Sequence, residues 1–161
     1  MRAIILSTVL SLSLATSAVA APVVADIKVS IGPDLAKKAD TYGAREFDTL
    51  STGLKRSIER KVKLRPGGGT LNLIIEDATP NHPTPEQLFN TPGLSVQSFG
   101  VGGARITGDY VDPTGGRTPI DYNWYETDIR WARYGGTWHD AENAFDKLAD
   151  RLSKEQYATK R

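Results

Sequence analysis

The residues that could carry chemistry are few, and they lie apart in the sequence. The chain has two histidines and no cysteine. His82 follows Glu76 and Asp77 closely enough to suggest a metal ligand or a general base, but it lies between Asn81 and Pro83 in a loop. Two histidines without HxH or HExxH spacing do not predict a metal site. We therefore expect neither a metal nor a cofactor.

A second candidate is the adjacent pair His139 and Asp140, which could be a base with its orienting acid. Adjacent residues on a helix point about 100° apart, so the two side chains cannot form such a dyad. Asp140 is better explained as the acid of a capping box that begins at Thr137.

A third candidate is a pair of carboxylates, Glu126 and Asp128, on one face of a predicted strand. Their spacing of about 7 Å at Cα follows from two strand rises, and paired carboxylates catalyse glycoside hydrolysis. Such a pair is also typical of a strand end that forms ion pairs with Arg105 or Arg130. We predict no catalytic residue from these patterns.

A glycine-rich run, Gly100-Val101-Gly102-Gly103, has a superficial likeness to a phosphate-binding loop. It lacks the following Lys-Ser/Thr and leads into a strand, so the helix dipole that attracts phosphate is absent. We interpret it as a bulge or a tight turn that leads into the next hairpin.

The stretch from Thr118 to Trp138 is the strongest candidate for recognition. It contains all three tryptophans and three of the six tyrosines. Core packing accounts for Tyr122, Trp124 and Trp138. The remaining aromatic residues are interleaved with Arg130 and Arg133, a composition typical of interface hot spots and of stacking platforms for sugars or bases. The predicted partner- or ligand-binding residues are Tyr125, Arg130, Trp131 and Tyr134.

Periodicity predicts the elements that position these residues. Apolar residues alternate in the predicted strands and recur at spacings of three and four in the predicted helices. These elements are a strand at Asp26–Ile31, a helix at Ala44–Lys63, a strand at Thr70–Ala78, a hairpin of Val96–Val111 with Thr118–Ile129, and a helix from Thr137 to about Gln156. They indicate an α+β fold: a mixed, mainly antiparallel sheet of four or five strands with two helices packed on one face. A fifth strand would lie at Val96–Val101.

The N-terminus predicts export. Arg2 precedes an apolar run, Ala3–Leu14, that is too short to span a bilayer, and Ala18-Val19-Ala20 fits a signal-peptidase site. We predict a signal peptide at residues 1–20, cleaved after Ala20, and one α/β domain at residues 21–161 with its core at about 26–156. The absence of cysteine excludes a lipobox. No second apolar run approaches the roughly 20 residues that a membrane helix needs, so we expect no transmembrane segment in the mature chain.

Several motifs resemble those of a known group of proteins. They are DATPNHPTPEQL (Asp77–Leu88), PGLS (Pro92–Ser95), GGA (Gly102–Ala104) and the closing Thr137, Trp138, Asp140 and Ala141. In these the chain resembles a family of small exported proteobacterial proteins of unknown function. The order of elements is also similar to that of periplasmic auxiliary proteins of envelope systems. The resemblance implies a location in the periplasm or outside the cell, and it implies no catalytic residue.

Two functional hypotheses follow. The first is a non-enzymatic exported accessory or binding protein of the bacterial cell envelope, whose partner is another envelope protein or a saccharide. The alternative is a small periplasmic hydrolase that acts on an envelope polymer through Glu126 or Asp128, or through a histidine. The formal charge of +1 without a concentrated basic stripe argues against nucleic acid as a partner. The sequence indicates no particular oligomeric state.

Overall fold

The computed structural model of the protein describes residues 23–157, so the predicted signal peptide lies outside the described residues. In chain order the elements are β1 (Val24–Ile31), α1 (Pro33–Ala36), α2 (Ala39–Tyr42), α3 (Ala44–Lys61), β2 (Gly69–Thr79), α4 (Pro85–Asn90), β3 (Gly103–Val111), β4 (Arg117–Tyr125), α5 (Ile129–Ala132) and α6 (His139–Leu152). Within residues 23–157, no helix has both the length and the apolar character needed to cross a membrane.

The four strands form one sheet in the order β1-β2-β3-β4. β1 and β2 run parallel, whereas β2 pairs antiparallel with β3 and β3 with β4. Two helices are long, α3 with 18 residues and α6 with 14. The predicted α+β class, with a mixed and mainly antiparallel sheet, is therefore confirmed, and the sheet has four strands.

The core lies between one face of the sheet and the two long helices. Leu71, Leu73 and Ile75 alternate along β2, which places them on one face, and each is at most 1 % exposed. The predicted stripe of α3 belongs to the same core, because apolar side chains three and four residues apart share one side of a helix. The buried members of that stripe are Leu50, Leu54, Ile58 and Val62.

The last helix begins differently from the prediction. α6 starts at His139, and Trp138 is its N-cap residue, with no side-chain hydrogen bond to the helix end. The predicted capping box of Thr137 and Asp140 is therefore wrong. The Asp140 side chain instead accepts hydrogen bonds from two residues outside the helix, Asn81 and Gly102. Its carboxylate therefore bonds to other segments and not to the N-terminus of α6. The helix also ends at Leu152 rather than near Gln156.

The predicted fifth strand at Val96–Val101 does not form in the described chain, and β3 begins at Gly103. The backbone N–H of Ser98 donates to the carbonyl of Ser95, and the N–H of Gly100 donates to the carbonyl of Asn81. The first bond closes a turn and the second joins the segment to the loop that contains Asn81, so these backbone groups are not paired with the sheet. The glycine-rich run does lead tightly into the hairpin, as expected.

The second strand of the hairpin is also shorter than predicted, because β4 ends at Tyr125 rather than at Ile129. One carboxylate oxygen of Glu126 accepts from the backbone N–H groups of Thr127 and Asp128, which turns the chain out of the sheet. Asp128 then accepts from the backbone N–H of Arg130 and caps the short helix α5, which the sequence did not predict.

Candidate functional site

The four predicted binding residues lie at the end of β4 and in the segment that follows it. Tyr125 is the last residue of the strand, Arg130 and Trp131 lie on α5, and Tyr134 lies in the turn beyond α5. Trp131 is 62 % exposed and Tyr134 is 61 % exposed, although large aromatic side chains usually supply core area. These two are therefore candidates for contact with a partner.

Tyr125 is half-buried in a small polar cluster on the sheet face opposite the core. Its hydroxyl donates to one carboxylate oxygen of Asp77 at 2.6 Å, and the Lys38 ammonium donates to the other at 2.7 Å. A shift in strand pairing between Ile75 and Asp77 leaves Glu76 as an extra residue beside this carboxylate. The cluster connects β2, β4 and the segment before α2.

The pKa values of this cluster keep its ion pair charged near neutral pH. Burial alone raises the pKa of Asp77, but the hydrogen bonds from Lys38 and Tyr125 outweigh it and lower the pKa overall. Burial likewise lowers the pKa of Lys38, and the hydrogen bond to Asp77 reverses the shift, so that it is raised. Burial and the bond to Asp77 raise the pKa of the Tyr125 hydroxyl. The cluster therefore holds an ammonium, a carboxylate and a neutral phenol, and none of them is a ready base.

Arg130 is neutralised within its own helix turn. Its guanidinium donates to both oxygens of Asp128, with the closest contact at 2.6 Å. This pairing also lowers the pKa of the Asp128 carboxyl, because the hydrogen bonds from Arg130 favour its charged form. Arg130 is exposed, but its charge already has a partner.

Arg133, which is not among the predicted binding residues, lies near two aromatic rings. Its Cζ atom lies 5.9 Å from the ring centroid of Phe99 and 5.8 Å from that of Tyr134, both within cation–π range. Phe99 is 44 % exposed and Ile129, at the start of α5, is 52 % exposed. We call Phe99, Ile129, Trp131, Arg133 and Tyr134 the aromatic surface.

The sequence does not identify Phe99 as a site residue, because it places Phe99 in a predicted strand at Val96–Val101 and because Phe99 meets Arg133 only through the fold. Asn81 connects the two segments: its backbone N–H donates to the carbonyl of Thr137, and its carbonyl accepts from the N–H of Gly100. The Asn81 side chain also donates to Asp140 at 2.6 Å and accepts from the Asp140 backbone at 2.7 Å. Both residues are almost completely buried, and together they hold the aromatic surface in place.

The two histidines are not brought next to an acid that could orient them. Nδ1 of His82 lies 3.1 Å from the carbonyl oxygen of Ser98, which can only accept, so Nδ1 carries the proton. Nε2 is buried and has no hydrogen-bond partner among the described residues. His82 lines a cavity of about 180 Å³, and His139 is next to Asp140, whose carboxylate is bonded to Asn81 and Gly102.

The cavity beside His82 and the cavity beside Glu46 do not bring a histidine and a carboxylate together. The His82 cavity is lined by Pro80, Asn81, Pro83, Gln87, Leu94, Ser98, Phe99 and Gly100, and none of these is acidic. A cavity of about 380 Å³ between α2 and α4 contains Glu46 and Glu86 but no histidine. Among residues 23–157, no three His, Cys, Asp or Glu side chains are placed to hold a metal ion.

Glu126 and Asp128, the predicted carboxylate pair, have different roles in the structure. Glu126 and Asp128 lie beyond the end of β4 rather than on one strand face, so that part of the prediction is wrong. Glu126 shapes the turn and Asp128 caps α5 and binds Arg130. Both are occupied by local hydrogen bonds.

Comparison with known proteins adds no family. The chain matches no protein-family model and no curated protein sequence.

Proposed function

We propose that the protein is a non-enzymatic accessory or binding protein of the bacterial cell envelope, which binds a partner through the aromatic surface. The observation that supports this most is the position of Arg133, whose Cζ lies 5.9 Å from the ring centroid of Phe99 and 5.8 Å from that of Tyr134, in a segment that also contains a tryptophan that is 62 % exposed. Aromatic residues and arginine are enriched among the residues that dominate the binding energy of protein interfaces.

Export is part of the proposal and is supported by the sequence of the first twenty residues. The apolar run after Arg2 and the Ala18-Val19-Ala20 site predict cleavage after Ala20. The resemblance to small exported proteobacterial proteins points to the same location. N-terminal sequencing of the protein recovered from a periplasmic fraction should begin at Ala21, and an uncleaved cytoplasmic chain would contradict this part of the proposal.

The binding function can be tested by crosslinking in cells of the source organism, followed by capture of the tagged protein. The variants are Trp131→Ala and Tyr134→Ala, which remove exposed rings of the aromatic surface. Phe89→Ala is the matched control, because Phe89 is 87 % exposed on α4, outside that surface. Tyr125→Ala is not used as a binding variant, since its hydroxyl is bonded to Asp77.

The two hypotheses predict different outcomes. Loss of one specific envelope protein or saccharide from both variants, with retention in Phe89→Ala, supports the binding function. Equal capture by all variants, together with turnover of an envelope polymer that disappears in Glu126→Gln or His82→Ala, would instead establish the small hydrolase. The single feature that favours the hydrolase is Nε2 of His82, which is buried and has no hydrogen-bond partner within residues 23–157.

A further inference from the structure

The loop between α4 and β3 carries no charged side chain. Residues 87–104 contain no Asp, Glu, Lys, Arg or His, although 24 % of the whole chain is Asp, Glu, Lys or Arg. This is the longest such stretch within residues 23–157. Most of residues 91–102 are nevertheless exposed, where a protein in water usually places its charged side chains. We call residues 91–102 the uncharged loop.

The uncharged loop presents apolar side chains to the outside. Val96 is 74 % exposed, Phe99 is 44 % exposed and Val101 is 37 % exposed. The backbone N–H of Ser98 donates to the carbonyl of Ser95, which closes a turn with Val96 at a central position. The most exposed valine side chain therefore lies at the turn of the loop, where it can enter an apolar medium.

The backbone of the uncharged loop is also suited to a medium with little water. A polar group that leaves water without a hydrogen-bond partner costs free energy, and the loop supplies many of the partners itself. The hydroxyl oxygens of Ser95 and Ser98 accept from backbone N–H groups of the same turn. The N–H groups that donate within the loop or to Asn81 are those of Leu94, Ser95, Gln97, Ser98 and Gly100.

The uncharged loop lies at the same end of the sheet as the segment that follows β4. β3 begins at Gly103, directly after the loop, and Gly103 pairs with Tyr125, the last residue of β4. Trp131, in the following segment, is 62 % exposed, and the Cζ atom of Arg133 lies 5.9 Å from the ring centroid of Phe99. Tryptophan is enriched where a membrane meets water, and a guanidinium pairs well with phosphate oxygens. This end of the molecule therefore combines an uncharged apolar loop with a neighbouring cation.

We propose that the uncharged loop docks on the surface of a lipid bilayer, with Val96, Phe99 and Val101 inserted among the lipids and Arg133 at the level of the headgroup phosphates. A bilayer accepts separate protruding apolar side chains and rejects charge, and charge is what the loop lacks. A protein partner would instead need a fitted pocket for each anchoring side chain.

A saccharide fits the loop less well, because its hydroxyl groups need donors and acceptors on the protein. The two serine hydroxyls of the turn already accept hydrogen bonds from the loop backbone. Lipid docking goes beyond the partner binding proposed above and does not depend on it.

Flotation with vesicles tests the proposal. The mature chain is mixed with vesicles of phosphatidylethanolamine and phosphatidylglycerol and centrifuged through a density gradient. The test variant is Val96→Asp and the matched control is Leu64→Asp, because Leu64 is also exposed, at 47 %. Leu64 lies beside Val24, and Val24 pairs with Gly69 at the start of β2, which is the end of the sheet away from the loop.

Wild type and Leu64→Asp should float with the vesicles. Val96→Asp should partition at least roughly tenfold more weakly, because a carboxylate replaces an apolar side chain that enters the bilayer. Val96 is 74 % exposed, so the substitution leaves the core intact, and circular dichroism checks the fold of each variant.

A second measurement locates the contact. The chain has no cysteine, so Val96→Cys and Leu64→Cys each introduce a single thiol that can be labelled with a polarity-sensitive dye. On addition of vesicles, the emission of the dye at position 96 should move to shorter wavelength. The emission of the dye at position 64 should not change.

Three results would overturn the proposal. If wild type does not float, lipid is not a ligand, and the partner binding of the aromatic surface is then judged by the crosslinking assay alone. Equal flotation of Val96→Asp and wild type, or equal dye shifts at positions 64 and 96, would place any lipid contact outside the uncharged loop. Capture of one envelope protein that is lost in Val96→Asp, without flotation of wild type, would replace the bilayer by a polypeptide.

Discussion

At the scale of single residues, two arginines three positions apart have opposite roles. Arg130 is paired with Asp128, whereas Arg133 lies within cation–π range of two rings and has no ion pair in the described chain. The sequence identifies both as exposed cations near aromatic residues. It cannot identify which one is neutralised, because that depends on the α5 turn and on Phe99 from a distant segment.

The buried pair of Asn81 and Asp140 leads to the first stability prediction. Asn81→Ala removes the amide that donates to the Asp140 carboxylate, which is 2 % exposed. A buried charged acceptor that loses a partner costs more than a neutral one, so we expect a loss of about 3 kcal/mol in the free energy of unfolding. Urea denaturation followed by circular dichroism measures it.

A matched control is Asn90→Ala, since Asn90 bonds Glu86 on the exposed side of α4. This variant should change the free energy of unfolding by at most about 0.5 kcal/mol. Equal losses in the two asparagine variants would contradict the role of Asn81 as the link that holds the Phe99 segment to α6.

The polar cluster of Lys38, Asp77 and Tyr125 predicts a pH dependence. The pKa of the Asp77 carboxyl is lowered below its ordinary value of 3.8 in the folded protein. As the pH falls, the Asp77 carboxyl is therefore protonated at a higher pH in the unfolded chain than in the folded protein. The stabilisation is complete above pH 3.8 and is lost as the pH falls through the folded pKa.

The matching variant is Asp77→Asn, which keeps an oxygen acceptor for Tyr125 and removes the charge. Because the carboxylate is more than a third exposed, solvent screens the ion pair and the variant should lose only about 1 kcal/mol or less at pH 7. The difference between wild type and variant, measured by urea denaturation at several pH values, should vanish at the acid end. A difference that persists unchanged below the folded pKa would show that the charge is not its source.

At the scale of elements, the sequence correctly predicts the helices and strands that have a regular apolar period. It does not predict where an element ends when a side chain forms hydrogen bonds with nearby backbone groups. The helix α3 and the strand β2 were predicted to within two residues of their observed ends, because each repeats apolar residues at its own period. The alternation of β4 continues in the sequence past Tyr125, but Glu126 bonds the backbone and turns the chain. The capping role of Asp140 failed for a related reason, since its partners lie in other elements.

Two glycines inside regular elements predict opposite effects of the same substitution. A Cβ at Gly53, in the middle of α3, would lie 3.7 Å from the Phe145 ring, an ordinary contact. Gly53→Ala should therefore stabilise the protein by about 1 kcal/mol, by raising helix propensity. At Gly108 in β3, φ is +149° and a Cβ would collide with the carbonyl oxygen of Asn72. Gly108→Ala should destabilise it. Thermal unfolding of both variants measures the two shifts, and shifts of the same sign would contradict the packing described.

At the scale of the whole molecule, the site is assembled by contacts that no local pattern encodes. The sequence supplies Trp131 and Tyr134 as exposed candidates, because they follow the hairpin in a segment without apolar period. The Phe99 side of the surface is added by the turns after α4 and by the buried Asn81, which bonds to both segments. The proline-rich loop that contains Asn81 thus holds the two segments of the aromatic surface together by hydrogen bonds.

Two of the tryptophans provide the last test, because Trp138 is buried in the core and Trp131 is exposed on the aromatic surface. Trp138 is 4 % exposed, packs edge-on against Tyr42 and donates from its indole nitrogen to Glu46 at 2.6 Å, whereas Trp131 is 62 % exposed. Trp138→Ala should cost about 3–5 kcal/mol in the free energy of unfolding, since it removes a buried ring and leaves a cavity. Trp131→Ala should change it by at most about 0.5 kcal/mol while abolishing capture of the partner. Circular dichroism in urea and the crosslinking assay measure the two effects separately. A large stability loss in Trp131→Ala would place that ring in the core and remove the aromatic surface as a contact site.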